Sequence, residues 1–195
     1  MGLGTTGTRE ATTLTIESTD VRYLVAKGGK VERWGSVPIP AGLISEGLPT
    51  SAVELGGIVD ELFSAEKLDR KRVIVGISGM RSIPRLLTLP KLQASLLEEA
   101  ISREARKEMP VSLDDLYLSW QSMPATGDRQ NVYVVGVPRE MIDGHMHLLE
   151  VAGITPRSMD LKPLALIRAV NKEEAIIVDL ERDELNLILV VNYLP

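Results

Sequence analysis

The 195-residue sequence contains no cysteine and only two histidines. Without cysteine, disulfides, thiolate nucleophiles and cysteine-based zinc or iron–sulfur sites are excluded. His145 and His147 lie two positions apart on a predicted helix, so they point from different faces and do not suit a shared metal ion. The motifs of phosphate-binding loops, serine hydrolases and zinc proteases are missing as well. We therefore expect no catalytic residue and no metal site.

Long apolar runs and an excess of basic residues are also missing. The longest apolar run, Leu185 to Val191, contains Asn186 and falls far short of the ~20 residues of a membrane span. The 27 acidic residues outnumber the 22 basic ones, and the resulting net charge of −5 argues against a nucleic-acid partner. The local basic cluster at residues 67–91 favours a solvated rim over contact with an acidic partner or membrane surface. We expect a cytoplasmic protein.

The composition that remains is that of a globular α/β protein, with 44% hydrophobic and 25% charged residues. Residues 1–10 predict a flexible lead-in. The predicted strands are a hairpin at Thr12–Ala26 with its turn at Glu17–Asp20, Val31–Ile39, Val73–Ile77, Ile83–Leu89, Asp115–Gln121, Asn131–Val137, residues 155–160, Ala175–Leu180 and Leu185–Tyr193. Four helices are predicted: one that begins at Thr50 or Ser51, one over residues 92–109, one from Pro138 to Val151 and one from Pro163 to Asn171.

These predicted elements have a bracketed order along the chain. Two strand–turn–strand units enclose a smaller unit of strand, helix, two strands and helix. The last predicted strand is apolar on both faces, and such a strand needs neighbours on both sides. We therefore expect the sequence to be a piece of a longer protein.

Several sequence strings follow this order in a way that resembles a known family. The best segment begins VIVGISGMRSIPRLLTLP and continues through a Glu/Ala-rich helix to the strand DLYLSWQ, covering Val73–Gln121. A second segment covers Val132–Asn171, and AIIVDL begins the last hairpin. Over most of residues 12–195 the sequence resembles the type IV pilus assembly protein PilM, a bacterial relative of the cell-division protein FtsA.

The resemblance implies an actin-like, ribonuclease H-like half with an inserted small α+β subdomain. Residues 11–79 and 158–195 would form the first actin-like lobe, and residues 80–157 the inserted subdomain. The hairpins Leu14–Ala26 and Ala175–Tyr193 would be the two phosphate-binding hairpins. The second lobe would lie beyond Pro195 or be absent.

The two hairpins depart from the family pattern at their turns. In the family the first hairpin carries Asp-x-Gly-Ser, in which glycine lets backbone N–H groups approach phosphate and aspartate helps to organise magnesium. Here Thr15 stands at the aspartate position, Glu17 at the glycine and Ser18 at the serine. The second hairpin keeps Asp179 but has Glu181 in place of glycine. A glutamate adds bulk and a negative charge beside a polyphosphate, so we expect ATP and magnesium to bind weakly or not at all.

We therefore expect a non-catalytic scaffold of a type IV pilus or type II secretion-like assembly platform. The resemblance implies that it binds the short cytoplasmic tail of PilN, an inner-membrane protein, in a groove beside the inserted subdomain. Membrane contact would then be indirect, and self-association stays open. Two alternatives remain: an actin-like ATPase that tolerates the glutamates, and an FtsA-type cell-division adaptor at the membrane.

Overall fold

The structure of the chain is a computed structural model that describes residues 10–124 and 127–195. All but the last residue of the predicted lead-in, residues 1–10, lie outside the described residues. In chain order, the strands are β1 (Glu10–Ile16), β2 (Asp20–Lys27), β3 (Lys30–Pro38), β4 (Ile44–Ser45), β5 (Leu48–Pro49), β6 (Val73–Ile77), β7 (Ile83–Pro90), β8 (Leu116–Ser122), β9 (Arg129–Pro138), β10 (Pro156–Leu161), β11 (Glu174–Leu180) and β12 (Leu185–Val191). The helices are α1 (Ala52–Ala65), α2 (Ala94–Glu108), α3 (Arg139–Val151) and α4 (Lys162–Val170).

Tertiary contacts divide the chain into two units. The first comprises the chain up to Met80 together with Gly144–Pro195, and the second is Arg81–Asp143. The sequence-based division instead placed residues 80–157 in the inserted part. The two divisions differ chiefly at residues 144–157, because the C-terminal part of α3 and the start of β10 group with the first unit.

The first unit is built on a five-stranded sheet of order β10-β6-β1-β2-β3. The predicted hairpin and the predicted strand Val31–Ile39 form an antiparallel meander of β1, β2 and β3, because alternating apolar residues and two short turns bring consecutive strands side by side. Strands β6 and β10 join it in parallel with β1, with Thr15 opposite Gly76 and Gly76 opposite Asp160. Since β1, β6 and β10 run in the same direction, their carboxyl ends meet at one edge of the sheet, called the carboxyl edge below.

Helix α1 begins where the sequence predicts it. The Ser51 side chain accepts a hydrogen bond from the backbone N–H of Glu54, which caps the helix. Gly56 lies on its buried face, and a Cβ built there would lie 2.7 Å from Cβ of Val151 in α3. The two helices therefore approach each other more closely at Gly56 than a side chain would allow.

The second unit is a three-stranded antiparallel sheet of order β7-β9-β8 with helix α2 packed on β7. Its core consists of aliphatic residues from the sheet and the buried side of the helix, including Leu87, Ile101, Ala105, Val132 and Val134. This arrangement matches the elements that the sequence predicts between Ile83 and Val137. Pro110 follows the end of α2, as expected for a residue that cannot continue a helix.

The last two strands, β11 and β12, form a separate antiparallel hairpin. One face packs through Ile188 and Val190 against Ile167 of α4. The other face presents seven aliphatic side chains that are between 49% and 73% exposed: Ile176, Val178, Leu180, Leu185, Leu187, Leu189 and Val191. In the described part of the chain, β12 therefore has a packed neighbour on only one face, whereas the sequence predicts neighbours on both.

Candidate functional site

The turns of the two predicted hairpins lie next to each other in the first unit. Each turn is closed by its own backbone hydrogen bond, from Glu17 N–H to the Asp20 carbonyl and from Glu181 N–H to the Glu184 carbonyl, both 2.9 Å long. Between the turns, the Ser18 hydroxyl donates a 2.7 Å hydrogen bond to Oδ1 of Asp183. The residues at the two predicted phosphate-loop positions are thus brought together, although they are far apart in the sequence.

Lys162 lies between the two turns. Its Nζ is 3.1 Å from Oε1 of Glu17 on the first turn. The same Nζ is 2.9 Å from Oδ2 of Asp179 and 2.5 Å from Oε1 of Glu181 on the second hairpin. The four side chains are at most 15% exposed. One ammonium group therefore pairs with carboxylates from both hairpins in a largely buried site.

Arg22 on β2 makes a second link between the hairpins. Its guanidinium donates two hydrogen bonds to the Glu181 carboxylate, of 3.0 Å and 2.6 Å, in the bidentate geometry that arginine favours. Its Nε also lies 2.6 Å from Oδ1 of Asp20, two residues earlier on the same strand. Glu181 is therefore held by two cations at once.

These six ion-paired side chains are called the charge cluster below. Its members are the carboxylates of Glu17, Asp20, Asp179 and Glu181 and the cations of Arg22 and Lys162. In their usual ionisation states the four carboxylates and two cations carry a net charge of −2. The cluster is therefore a site that repels anions, despite the two cations within it.

Burial and pairing shift the pKa values of the charge cluster in opposite directions. Burial raises the pKa of Glu17, because desolvation of its carboxylate outweighs the attraction of Lys162. Hydrogen bonds from Arg22 lower the pKa of Glu181, with burial opposing them. Burial disfavours the charged ammonium of Lys162, but hydrogen bonds to Glu181 and Asp179 outweigh burial and raise its pKa. Glu17 is therefore more easily protonated than Glu181.

The carboxyl edge explains how Lys162 reaches this position. Glu17 follows β1, Ser78 follows β6 and Lys162 follows β10, so the three residues lie at the ends of adjacent parallel strands. A hollow of about 330 Å³ opens at this edge, lined by Glu17, Ser78, Lys162, Asp179 and residues of β12. The second hairpin supplies the wall opposite the sheet.

Of the five predicted loop positions, four meet in and around the charge cluster. Glu17, Asp179 and Glu181 pair with Lys162, and Ser18 bridges the turns. Thr15 lies directly opposite Arg22 in the β1–β2 pairing and lines a different hollow on the sheet face. Its hydroxyl is not among the groups that pair with the cations of the cluster.

No pattern in the sequence marked the two cations, Asp20 or Asp183 as residues of the site. Nothing local marks Lys162, because it lies 19 residues before Glu181 and far from Glu17 in the chain. The available signal was topological: a lysine directly after a parallel strand, followed by Pro163 in the first turn of a helix. Arg22 stands opposite Thr15 in the β1–β2 hairpin.

The described residues contain neither a metal cluster nor a membrane-spanning helix. No group of three or more carboxylate or imidazole side chains within residues 10–124 and 127–195 is arranged to hold a metal ion. His145 is buried, whereas His147 lies on the surface near Glu150. None of the helices in these ranges is both long and apolar enough to cross a bilayer.

Comparison with known families gives the relationship directly. The family model for the type IV pilus assembly protein PilM matches residues 14–193. The chain belongs to the PilM family. This confirms the resemblance that the sequence strings predict. No curated protein matches the chain.

Solved structures agree on the fold of this PilM family member. A PilM–PilN type IV pilus biogenesis complex matches with a TM-score of 0.77 and 23% identity over 93% of this chain. The cytoplasmic domain of EpsL, an inner-membrane component of the type II secretion system of Vibrio cholerae, gives 0.64 and 17% over 94% of this chain and 69% of its own. The ethanolamine utilization protein EutJ from Carboxydothermus hydrogenoformans gives 0.57 and 13%, over 98% of this chain and 51% of EutJ. The predicted α/β fold of the actin-like class is thereby confirmed.

The chain is shorter than these structures. It spans 58% of the matched chain in the PilM–PilN complex.

Proposed function

We propose that the chain is a non-catalytic scaffold of a type IV pilus or type II secretion-like assembly platform. It binds a short cytoplasmic segment of a PilN-like inner-membrane protein and is held at the inner membrane through that partner. Membership of the PilM family supports the pilus assignment over an FtsA-type adaptor. The likeness to a PilM–PilN complex supports the choice of partner.

The charge cluster is the observation that carries the non-catalytic part of this proposal. A magnesium-bound triphosphate would approach the two turns at the carboxyl edge, where Glu17 and Glu181 present carboxylates. At an effective dielectric constant near 20, two like charges 4 Å apart repel by about 4 kcal/mol. Two such contacts would offset the ~8 kcal/mol of a micromolar affinity.

The cations of the charge cluster do not compensate for this repulsion. Lys162 is surrounded by three carboxylates, and Arg22 is engaged by Glu181 and Asp20. A phosphate would have to displace these partners and leave the carboxylates buried without a counter-ion, which is costly. The residues present therefore do not fit a magnesium–nucleotide group.

Capture of a peptide does not depend on the turns. A groove or an exposed sheet edge binds an extended segment through main-chain pairing and apolar pockets. The scaffold function is therefore compatible with loss of the nucleotide site.

The test is a pair of titrations by isothermal calorimetry. We expect a peptide of about 20 residues from the N-terminus of the PilN-like partner to bind, and a scrambled peptide of the same composition to give no heat. We expect no binding of MgATP, and the same peptide affinity with and without it. Micromolar binding of MgATP would favour the actin-like ATPase, in which Lys162 leaves its carboxylates to contact phosphate. Absence of peptide binding would remove the proposed partner.

A further inference from the structure

The two hairpins that meet at the carboxyl edge are not joined by strand pairing. In the part of the chain that the structure describes, β11 and β12 form a sheet of their own, separate from the five-stranded sheet. What connects their turns to the sheet is a small set of side-chain contacts: Ser18 with Asp183, Arg22 with Glu181, and Lys162 with carboxylates on both sides.

We propose that the ammonium group of Lys162 joins the two turns in place of a bound ligand. The protein's own charges then set the distance between the turns. This inference rests on the proposed function, because it assumes that no nucleotide occupies the edge. It adds that the arrangement of the hairpins is independent of nucleotide and responds to ionic strength.

The position of Lys162 is what suits it to this role. It is the first residue of α4 and directly follows β10, so its backbone is fixed by both elements. From there Nζ contacts Glu17, which belongs to the first turn, and Asp179 and Glu181, which belong to the second hairpin. No other side chain of the charge cluster contacts carboxylates on three separate positions.

Removal of Lys162 would replace an attraction between the two turns by a repulsion between their carboxylates. Glu17, Asp179 and Glu181 would keep their charges, with Arg22 as the remaining cation of the cluster. Carboxylates that are only 8% to 14% exposed are weakly screened by water. The turns would then separate locally, while the apolar contacts of Ile167 with Ile188 and Val190 hold the rest of the hairpin on α4.

The experiment compares Lys162→Met with Arg168→Met by amide hydrogen exchange. Arg168 is a matched control because it lies on the same helix and is ion-paired with Asp160, which is not a member of the charge cluster. We expect exchange of the Glu17 and Glu181 amides, which close the two turns, to be on the order of tenfold faster in Lys162→Met. Exchange in Arg168→Met should match that of the natural protein.

Salt separates an electrostatic role from a packing role. The carboxylates keep 8% to 14% of their surface exposed, so at about 0.5 M NaCl, where the Debye length is a few ångströms, partial screening should slow exchange of the turn amides in Lys162→Met by a modest factor. In the natural protein the same salt should make exchange of the turn amides faster, because it weakens the attraction between Lys162 and the carboxylates; unchanged exchange would contradict the electrostatic role. A methionine that merely packs poorly would not give this opposite response.

A second variant keeps the inference testable if Lys162→Met does not fold. The triple variant Glu17→Gln, Lys162→Met, Glu181→Gln removes the repulsion together with the cation, and we expect it to fold with slower turn exchange than the single variant. Unchanged turn exchange in a folded Lys162→Met, or equal acceleration in all strands, would overturn the role of Lys162. Slower turn exchange of the natural protein on addition of MgATP would instead overturn the proposed function.

Discussion

The free-energy cost of removing Lys162 should depend strongly on pH. Lys162→Met deletes the ammonium while keeping the length of the side chain, and leaves Glu17 nearly buried beside two other carboxylates. Breaking a buried ion pair by removing one partner costs about 3–5 kcal/mol. The cost of leaving Glu17 without its cation has an upper limit, because the carboxylate can instead take up a proton. The ordinary pKa of glutamate sets the free energy of that protonation.

The free energy needed to protonate Glu17 gives the maximum cost of the substitution at each pH. Protonation of a glutamate with an unfolded-state pKa near 4.3 costs about 1.4 kcal/mol per pH unit above that value, hence about 3.7 kcal/mol at pH 7 and about 1 at pH 5. Burial already raises the pKa of Glu17, and loss of Lys162 raises it further. A group whose pKa is raised by folding loses its stabilising effect as pH rises, so the variant is penalised most at neutral pH.

Urea unfolding of the natural protein and of Lys162→Met at pH 5 and pH 7 measures this difference. We expect a loss of about 3–4 kcal/mol at pH 7, or roughly 10 °C in melting temperature, and no more than about 1 kcal/mol at pH 5. Arg168→Met, whose ion pair with Asp160 is partly exposed, should cost less than about 1 kcal/mol at both pH values. A penalty for Lys162→Met that is equal at the two pH values would refute the charge-based account.

Two further predictions concern packing and burial elsewhere in the chain. Gly56→Ala places a Cβ 2.7 Å from Val151 and should destabilise the protein by about 1–3 kcal/mol. Gly57→Ala, whose Cβ would have no atom within 4 Å, should be neutral or stabilising by up to about 1 kcal/mol. The melting temperatures of the two variants test this difference. Burial raises the pKa of Tyr133 to about 12, so the folded state favours the neutral phenol. Stability should then fall by about 1 kcal/mol between pH 9 and pH 11, and Tyr133→Phe should remove that part of the loss in urea titrations at alkaline pH.

Local patterns predicted the elements well but did not always identify their buried faces. The first helix was predicted with its cap at Ser51, and the structure confirms it. The sequence predicts an apolar stripe of Val53, Ile58, Leu62 and Phe63 for this helix. Phe63 is buried, together with Leu55 and Val59, whereas Val53 is 68% exposed. The buried residues recur every four positions, so they follow one face of the helix more closely than the predicted set does.

The candidate site was only half predictable. The resemblance to PilM identified Glu17 and Glu181 as residues in unexpected positions, because a family pattern can be compared one residue at a time. It gave no reason to expect Lys162 between them, since that contact depends on three parallel strands ending at the same edge. A pattern within one segment cannot report which distant segment supplies its counter-ion.

The outer face of the β11–β12 hairpin has a practical consequence for handling the protein. Seven aliphatic side chains, each about half exposed or more, form a hydrophobic surface on this two-stranded sheet, and such a surface promotes aggregation. Sulfate and phosphate strengthen the tendency of such surfaces to leave water. Ammonium sulfate precipitation and phosphate-rich buffers would therefore favour aggregation through this face. Preparations should be kept dilute in chloride-based buffers.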